Sequence, residues 1–251
     1  MTPEHSHHPD AIVERLAAGS RPTYVRDFVY GGIDGAITTF AIVAGVVGAS
    51  LSSGIIVILG IANLLADGFS MAASNYSGTK ADIDNVERIR EIEARHIDTD
   101  PEGEREEVRQ ILASMGLVHP TLDEAVESIT ADERRWIEFM VTQEYGLAAV
   151  NPSPMRAGLA TFVAFAICGA VPLLPFLAPY LSPELLAGQA PLALSIGMTG
   201  IVFFGIGAIK SRWAVTSWWR SGLETLFIGG MAAFFAYGAG WLLRSLFDIA
   251  I

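Results

Sequence analysis

Residues 55–97 read IIVILGIANLLADGFSMAASNYSGTKADIDNVERIREIEARHI. From Ile55 to Ala73 the stretch is apolar over close to the ~20 residues that a helix needs to cross a bilayer. From Lys80 to Ile97 it is charged, lacks proline and glycine, and consists mostly of good helix formers. The spacing predicts one helix that leaves a membrane and continues into water. Inside its apolar half, Asn63, Asp67, Met71 and Asn75 recur every four residues. That interval turns a helix slightly past one revolution, so the four side chains form a slowly drifting polar stripe.

The rest of the chain agrees with a membrane protein. Of 251 residues, 51% are hydrophobic and only 17% charged, with a formal net charge of −11 and a mean hydropathy of +0.42. A soluble domain carries about a quarter charged residues. An acidic chain is a poor partner for nucleic acid, which rewards basic patches. The single cysteine, Cys168, excludes a disulfide framework and a cysteine-based zinc site. The charge is also localised: Lys80 to Arg156 holds 18 of the 27 acidic and 9 of the 16 basic residues, hence −9 of the −11.

Working outward, Phe28–Ala49 and Ile55–Ala73 are the first two candidate spans, joined by a polar turn at Ser50–Gly54. Gly158–Tyr180, Pro191–Ile209 and Gly222–Leu243 follow the charged stretch. Ala178–Ala190, with Pro179, Pro183 and Gly188, reads as an irregular connector. The fold class expected is an all-α membrane protein of five transmembrane helices with an acidic helical cytoplasmic insert between the second and third. Arg15, Arg21 and Arg26 precede the first span, Lys210, Arg212 and Arg220 lie between the fourth and fifth, and the insert holds nine more basic residues. By the positive-inside rule the amino terminus and insert face the cytoplasm and the carboxyl terminus lies outside. Residues 1–25 read as a flexible tail with His5, His7 and His8 and no apolar signal-peptide core.

Residues 80–156 predict a small helical bundle. Asp100 and Pro101 suit the N-cap and first position of a helix running to about Met115. Thr121 with Glu124, and Thr130 with Glu133, match the capping box and predict two further helix starts, the second helix ending near Tyr145. Glu224 is expected to pair with Arg220 one turn before it, in an interfacial belt with Trp213, Trp218 and Trp219.

Two constellations carry chemistry. An aspartate at the centre of a bilayer costs ~2.5–3.5 kcal/mol on insertion scales and normally faces a bundle interior or pathway. Asp34 in the first span and Asp67 with Met71 in the second therefore suggest a cation path along Asp34, Asn63, Asp67, Met71 and Asn75. Gly31 and Gly35, flanking Asp34, have the spacing that lets another helix approach closely. In the insert, Glu93 and His96, Glu104 and Glu107, and Met140 and Glu144 are each three or four apart on one helix face. Carboxylate, imidazole and thioether together favour a divalent transition metal over Mg²⁺ or Ca²⁺. Fe²⁺, Mn²⁺, Co²⁺ and Zn²⁺ all accept such ligands. No nucleophile elbow, phosphate-binding glycine loop or dinucleotide fingerprint is present, so no organic cofactor is expected.

With Tyr30-Gly31-Gly32-Ile33-Asp34-Gly35-Ala36-Ile37-Thr38-Thr39 in the first span and Ala66-Asp67-Gly68-Phe69-Ser70-Met71-Ala72-Ala73 in the second, the chain resembles the vacuolar iron transporter (VIT) family, as a bacterial-type member. The resemblance extends from about Val25 to Leu246. It implies a homodimer of five-helix subunits, with the path at the dimer interface, exporting Fe²⁺ from the cytoplasm in exchange for protons, here across an inner (plasma) membrane. It maps the family's membrane ligands onto Asp34 and Met71, and its metal-binding cytoplasmic residues onto Glu93, Glu104, Glu107, Met140 and Glu144. His96 stands where many relatives have a carboxylate. Ser74-Asn75-Tyr76 replaces a common Gly-Glu-Tyr, and Val141 follows Met140 where some members have a second methionine.

The leading expectation is a metal/proton antiporter rather than an enzyme, since a proton and a divalent cation compete for the same carboxylate. The alternatives are a membrane-anchored ferroxidase or metal-storage bundle using Glu93 and His96, and a metal-sensing membrane scaffold. A ferritin-like centre uses two Glu-x-x-His motifs; the insert holds one, Glu93 with His96.

Overall fold

The computed structural model describes residues 6–18, 22–147, 152–181 and 190–247. Among these it is all-helical, as expected of an α-helical membrane protein, and it falls into two compact units. One comprises Tyr24–Ser77 with Pro154–Ile251, the other Met1–Thr23 with Gly78–Ser153.

The first unit contains the long apolar helices: α2 (Val25–Gly48), the first half of α3 (Ser53–Thr99), α7 (Pro154–Ala170), α8 (Leu174–Leu181), α9 (Pro191–Lys210) and α10 (Trp218–Phe247). Five helical stretches are long and apolar enough to cross a membrane: Val25–Gly48, Ser53–Thr99, Pro154–Leu181, Pro191–Trp213 and Trp218–Phe247. α2 packs on α7 and on α10, and α10 packs on α9. The α2–α7 contact needs the glycines around Asp34. A Cβ on Gly31 would strike the carbonyl oxygen of Thr161, and one on Gly35 that of Phe165. On α10, a Cβ on Gly240 would strike the carbonyl oxygen of Gly45, whereas Gly230 and Gly238 have open space around them.

α2 ends in a Schellman arrangement. Ser50 takes a positive φ of 56°, its N–H donates to Val47 O at 2.9 Å, and that of Leu51 to Val46 O at 3.0 Å. Val46 and Leu51 meet Val43, Ile56, Leu173 and Phe176 in one apolar cluster. α3 is a single helix of 47 residues, matching the continuity expected across Lys80. The third apolar stretch differs from expectation. It is broken by a 3₁₀ turn at Val171–Leu173, and helix resumes over Leu174–Leu181. Pro172 and Pro175 lack the N–H a continuous helix requires, and Ser195 Oγ donates to the Pro172 carbonyl at 2.8 Å. Residues 178–181, read as connector, are thus helical; Pro183 and Gly188 lie outside the described residues.

The second unit contains α1 (Pro9–Ala18), the far half of α3, α4 (Pro101–Ser114), α5 (Thr121–Thr130) and α6 (Glu133–Gln143). α1 lies within the stretch read as a flexible tail; its apolar residues are Ile12, Val13 and Leu16. Of the histidines before it, His8 approaches Asp10 at 3.5 Å, and His5 is outside the described residues. The core is Val108, Leu112, Leu122, Val126, Trp136 and Met140.

Asp100 caps α4 as expected, accepting from Gly103 N at 3.0 Å. The two threonine capping boxes do not form. Thr121 is the first residue inside α5, after Pro120. Thr130 is the last residue of α5, its hydroxyl accepting from Arg105 at 3.1 Å. Asp132 caps α6 instead, accepting from Arg135 N at 2.8 Å; its carboxylate is a stronger acceptor than a hydroxyl. Arg90 on α3 ties α6 in place, with its Nε and Nη2 on the two oxygens of Glu138 at 2.7 and 3.2 Å.

Candidate functional site

In the long-helix unit, the stripe on α3 separates into two kinds of residue. Asn63 Nδ2 donates to Thr38 Oγ1 at 3.1 Å and Thr39 Oγ1 at 3.4 Å on α2. Asn75 Nδ2 donates to Asp27 Oδ1 at 2.9 Å, Thr161 Oγ1 at 2.7 Å and the Ala157 carbonyl at 3.3 Å. Both amides therefore join α3 to its neighbours. Asp67 and Met71, between them, are partly buried, as is Asp34 on α2. The carboxylates of Asp34 and Asp67 lie within electrostatic reach of each other, so two helices present acid groups to one region of the apolar unit. Glu224 faces Lys210 Nζ at 3.8 Å rather than the expected Arg220, because the Arg220 guanidinium stacks over the Trp219 ring, 5.1 Å from its centroid.

In the second unit, the corner between α3 and α4 folds Glu93, His96 and Glu104 together. His96 Nδ1 lies 3.2 Å from Glu104 Oε1 and 3.7 Å from Glu93 Oε1. One potential ligand atom from each of the three lies within 4.8 Å of the other two. The Glu93 side chain is 1% exposed and that of Glu104 7%, whereas His96 is about half exposed. Glu93 Oε2 and Glu104 Oε2 are buried without a hydrogen-bond partner among the described residues. Uncompensated carboxylate oxygens are costly in a protein interior unless paired or coordinated.

The electrostatics draw in the other predicted residues. Burial first, then the charges of Glu93, Glu107 and Glu144, push the Glu104 carboxyl up to about 7, with His96 pulling the other way. Burial and the charges of Glu93 and Glu107 raise the Glu144 carboxyl above its usual range, again opposed by His96. The charges of Glu93, His96, Glu107 and Glu144 are thus all felt at Glu104. Met140 is fully buried within the apolar core, one turn before Glu144.

One partner was missed. The Tyr145 hydroxyl donates to Glu93 Oε1 at 3.0 Å, and its own ionisation is pushed far up by burial and by that carboxylate. The only signal in the sequence was its place beside Glu144. Three oxygen or nitrogen donors converging on one point, two of them buried, can bind a divalent cation, and binding displaces any proton that they carry.

Comparison with known proteins gives a consistent picture. The model of the VIT family matches residues 25–241. The chain is 30% identical over 237 residues to vacuolar iron transporter 1 of Oryza sativa subsp. japonica, covering 93% of this chain and 88% of that protein. It is 33% identical over 217 residues to vacuolar iron transporter 1 of Arabidopsis thaliana, covering 85% and 83%. To the vacuolar iron transporter of Toxoplasma gondii it is 31% identical over 226 residues, covering 88% and 74%.

Proposed function

The chain belongs to the VIT family, and from that premise we propose that it is a membrane transporter of divalent transition metal, Fe²⁺ foremost, working as a metal/proton antiporter. The observation that carries this reading is the pairing of an intramembrane acid group, Asp34 with Asp67, and a convergent Glu93–His96–Glu104 cluster in one chain. An ion pathway explains acid groups in an apolar helix bundle, and a metal-collecting surface explains buried carboxylates that each leave one oxygen unpaired among the described residues.

In this reading the five long helices span the membrane and residues 80–156 face the cytoplasm, where the excess of basic residues on that side puts them. Glu93, His96, Glu104, Glu107 and Glu144 collect the ion, with the Met140 thioether available one turn from Glu144. Asp34, Asp67 and Met71 hold it transiently within the membrane, and protons replace it on the carboxylates as it leaves. Asn63 and Asn75, with their amides committed to neighbouring helices, keep the path in register. The membrane half of α3 and most of α10 leave large apolar side chains exposed, among them Ile58, Leu65, Phe69, Phe227 and Phe234; lipid and a second copy of the chain cover them in a homodimer. We place it in an inner (plasma) membrane, exporting metal from the cytoplasm.

The test is Fe²⁺ uptake into proteoliposomes containing the purified chain. Uptake above that of protein-free liposomes, rising with an imposed pH gradient, supports the reading. Catalytic oxidation of Fe²⁺ without uptake favours the ferroxidase alternative, binding without oxidation or uptake favours the metal-sensing scaffold, and either rejects transport.

A further inference from the structure

The cluster on α3 and α4 is not made of oxygen alone. His96 turns Nδ1 towards Glu104 Oε1 and Glu93 Oε1, at 3.2 and 3.7 Å. The carboxylates are enclosed while the imidazole is half exposed, so His96 forms the solvent side of a cluster whose inner wall is Glu93 and Glu104. Two oxygens of that wall are buried without a partner among the described residues, an independent sign that something absent from the protein completes the site.

We propose that His96 sets the metal selectivity of this site, favouring ions that accept nitrogen, such as Fe²⁺, Co²⁺ and Zn²⁺, over Mn²⁺ and over the hard ions Mg²⁺ and Ca²⁺. The proposal rests on the metal-collecting reading above. Mg²⁺ and Ca²⁺ are bound through oxygen, and their affinity grows with the number of charged oxygen ligands. Imidazole suits the later first-row ions, whereas carboxylate and water suit Mg²⁺, Ca²⁺ and Mn²⁺. A neutral imidazole in place of a third carboxylate removes one negative charge and adds a nitrogen donor. Both changes act against the hard ions. The later ions regain through the nitrogen bond what they lose in Coulomb attraction.

The experiment compares Co²⁺ and Mn²⁺ binding to the full-length chain in detergent, for wild type, His96→Glu, His96→Gln and the double variant Glu93→Gln/Glu104→Gln. Mn²⁺ is followed by electron paramagnetic resonance and Co²⁺ by its visible absorption. Circular dichroism checks each fold, which the exposure of His96 favours. The expected result is a ratio of Co²⁺ to Mn²⁺ affinity about tenfold lower in His96→Glu than in wild type. The Co²⁺ bands should shift as nitrogen is replaced by oxygen, and His96→Gln should lose Co²⁺ affinity more than Mn²⁺ affinity. An unchanged ratio in His96→Glu, or an equal loss of both ions in His96→Gln, overturns the selectivity role while leaving metal collection standing. Wild-type binding that is indifferent to Glu93→Gln/Glu104→Gln overturns both.

Discussion

His96 Nδ1 and Glu104 Oε1 lie 3.2 Å apart although one residue ends α3 and the other opens α4. The contact exists because the chain reverses between them, where Asp100 caps α4 and Pro101 starts it. Three groups that would each be an ordinary solvated side chain on a straight helix come together at this corner. The consequence is electrostatic crowding, which adds to burial in raising the Glu104 carboxyl.

Glu104 is where that crowding is measurable. With its carboxyl at about 7 in the folded protein against an ordinary 4.5, the native state keeps a proton between those values that the unfolded chain has released. Its contribution to stability is therefore complete below about pH 4.5 and is lost as pH rises through about 7. A divalent ion binds the ionised form, so its affinity rises across the same window and protons are released. Melting temperatures of the detergent-solubilised protein over this range, with and without Co²⁺, should show a decline with pH that the ion offsets. Glu104→Gln should flatten both effects.

Tyr145 donates its hydroxyl to Glu93 Oε1. Tyr145→Phe leaves a buried carboxylate short of that partner, at a cost of roughly 1–3 kcal/mol. The metal-free protein should melt lower by that amount, and saturating Co²⁺ should recover most of the difference. A melting temperature equal to wild type in both states would show that the hydrogen bond contributes nothing.

Asn75 joins three helices with one amide. Two N–H bonds serve three acceptors, so one is shared, and Thr161 Oγ1 both accepts from Asn75 at 2.7 Å and donates to Ala157 O at 3.0 Å. Asn75→Ala should cost about 1–3 kcal/mol. Asn75→Asp should cost more, because it sets a second carboxylate against Asp27, whose Oδ1 lies 2.9 Å from the Asn75 nitrogen. Thermal unfolding in detergent ranks the two; the reverse order would contradict the account of this contact.

Gly35 packs against α7 with no room for a methyl group, since a Cβ would meet the backbone of Phe165. Backbone cannot step aside as a side chain can, so Gly35→Ala should destabilise by about 1–3 kcal/mol and reduce the yield of folded protein. Gly230→Ala, in open space, should do neither. Parallel purification and melting of the two variants checks this contrast.

These features differ in how far the sequence foretold them. The continuity of α3 was legible because helix propensity is high from Lys80 to Ile97 while the polarity changes. The acidic cluster was half legible: helix spacing pairs Glu93 with His96 and Glu104 with Glu107, but only the corner at Asp100 brings His96 to Glu104, and Glu144 comes from the end of α6. The caps of α5 and α6 were misread because a threonine and a glutamate three apart describe a pattern. The tertiary partner of Thr130, Arg105, and the stronger acceptor at Asp132 decide the outcome. The break at Val171–Leu173 was hidden by unbroken hydropathy, since proline interrupts hydrogen bonding without making a segment polar. The Lys210–Glu224 pair was missed for a similar reason: i,i+4 spacing identifies Arg220, and only the structure shows that its guanidinium lies over Trp219.

The central claim is that metal crosses the membrane past Asp34 in exchange for protons. Its most direct test records internal metal and internal pH together in proteoliposomes loaded with a metal-sensitive and a pH-sensitive dye, with Fe²⁺ added outside under anaerobic conditions. Wild type should show Fe²⁺ entry and proton movement in the opposite direction on one time course, and Asp34→Ala should abolish both while still inserting and folding. Fe²⁺ entry with no proton movement, or full transport by Asp34→Ala, would contradict the account.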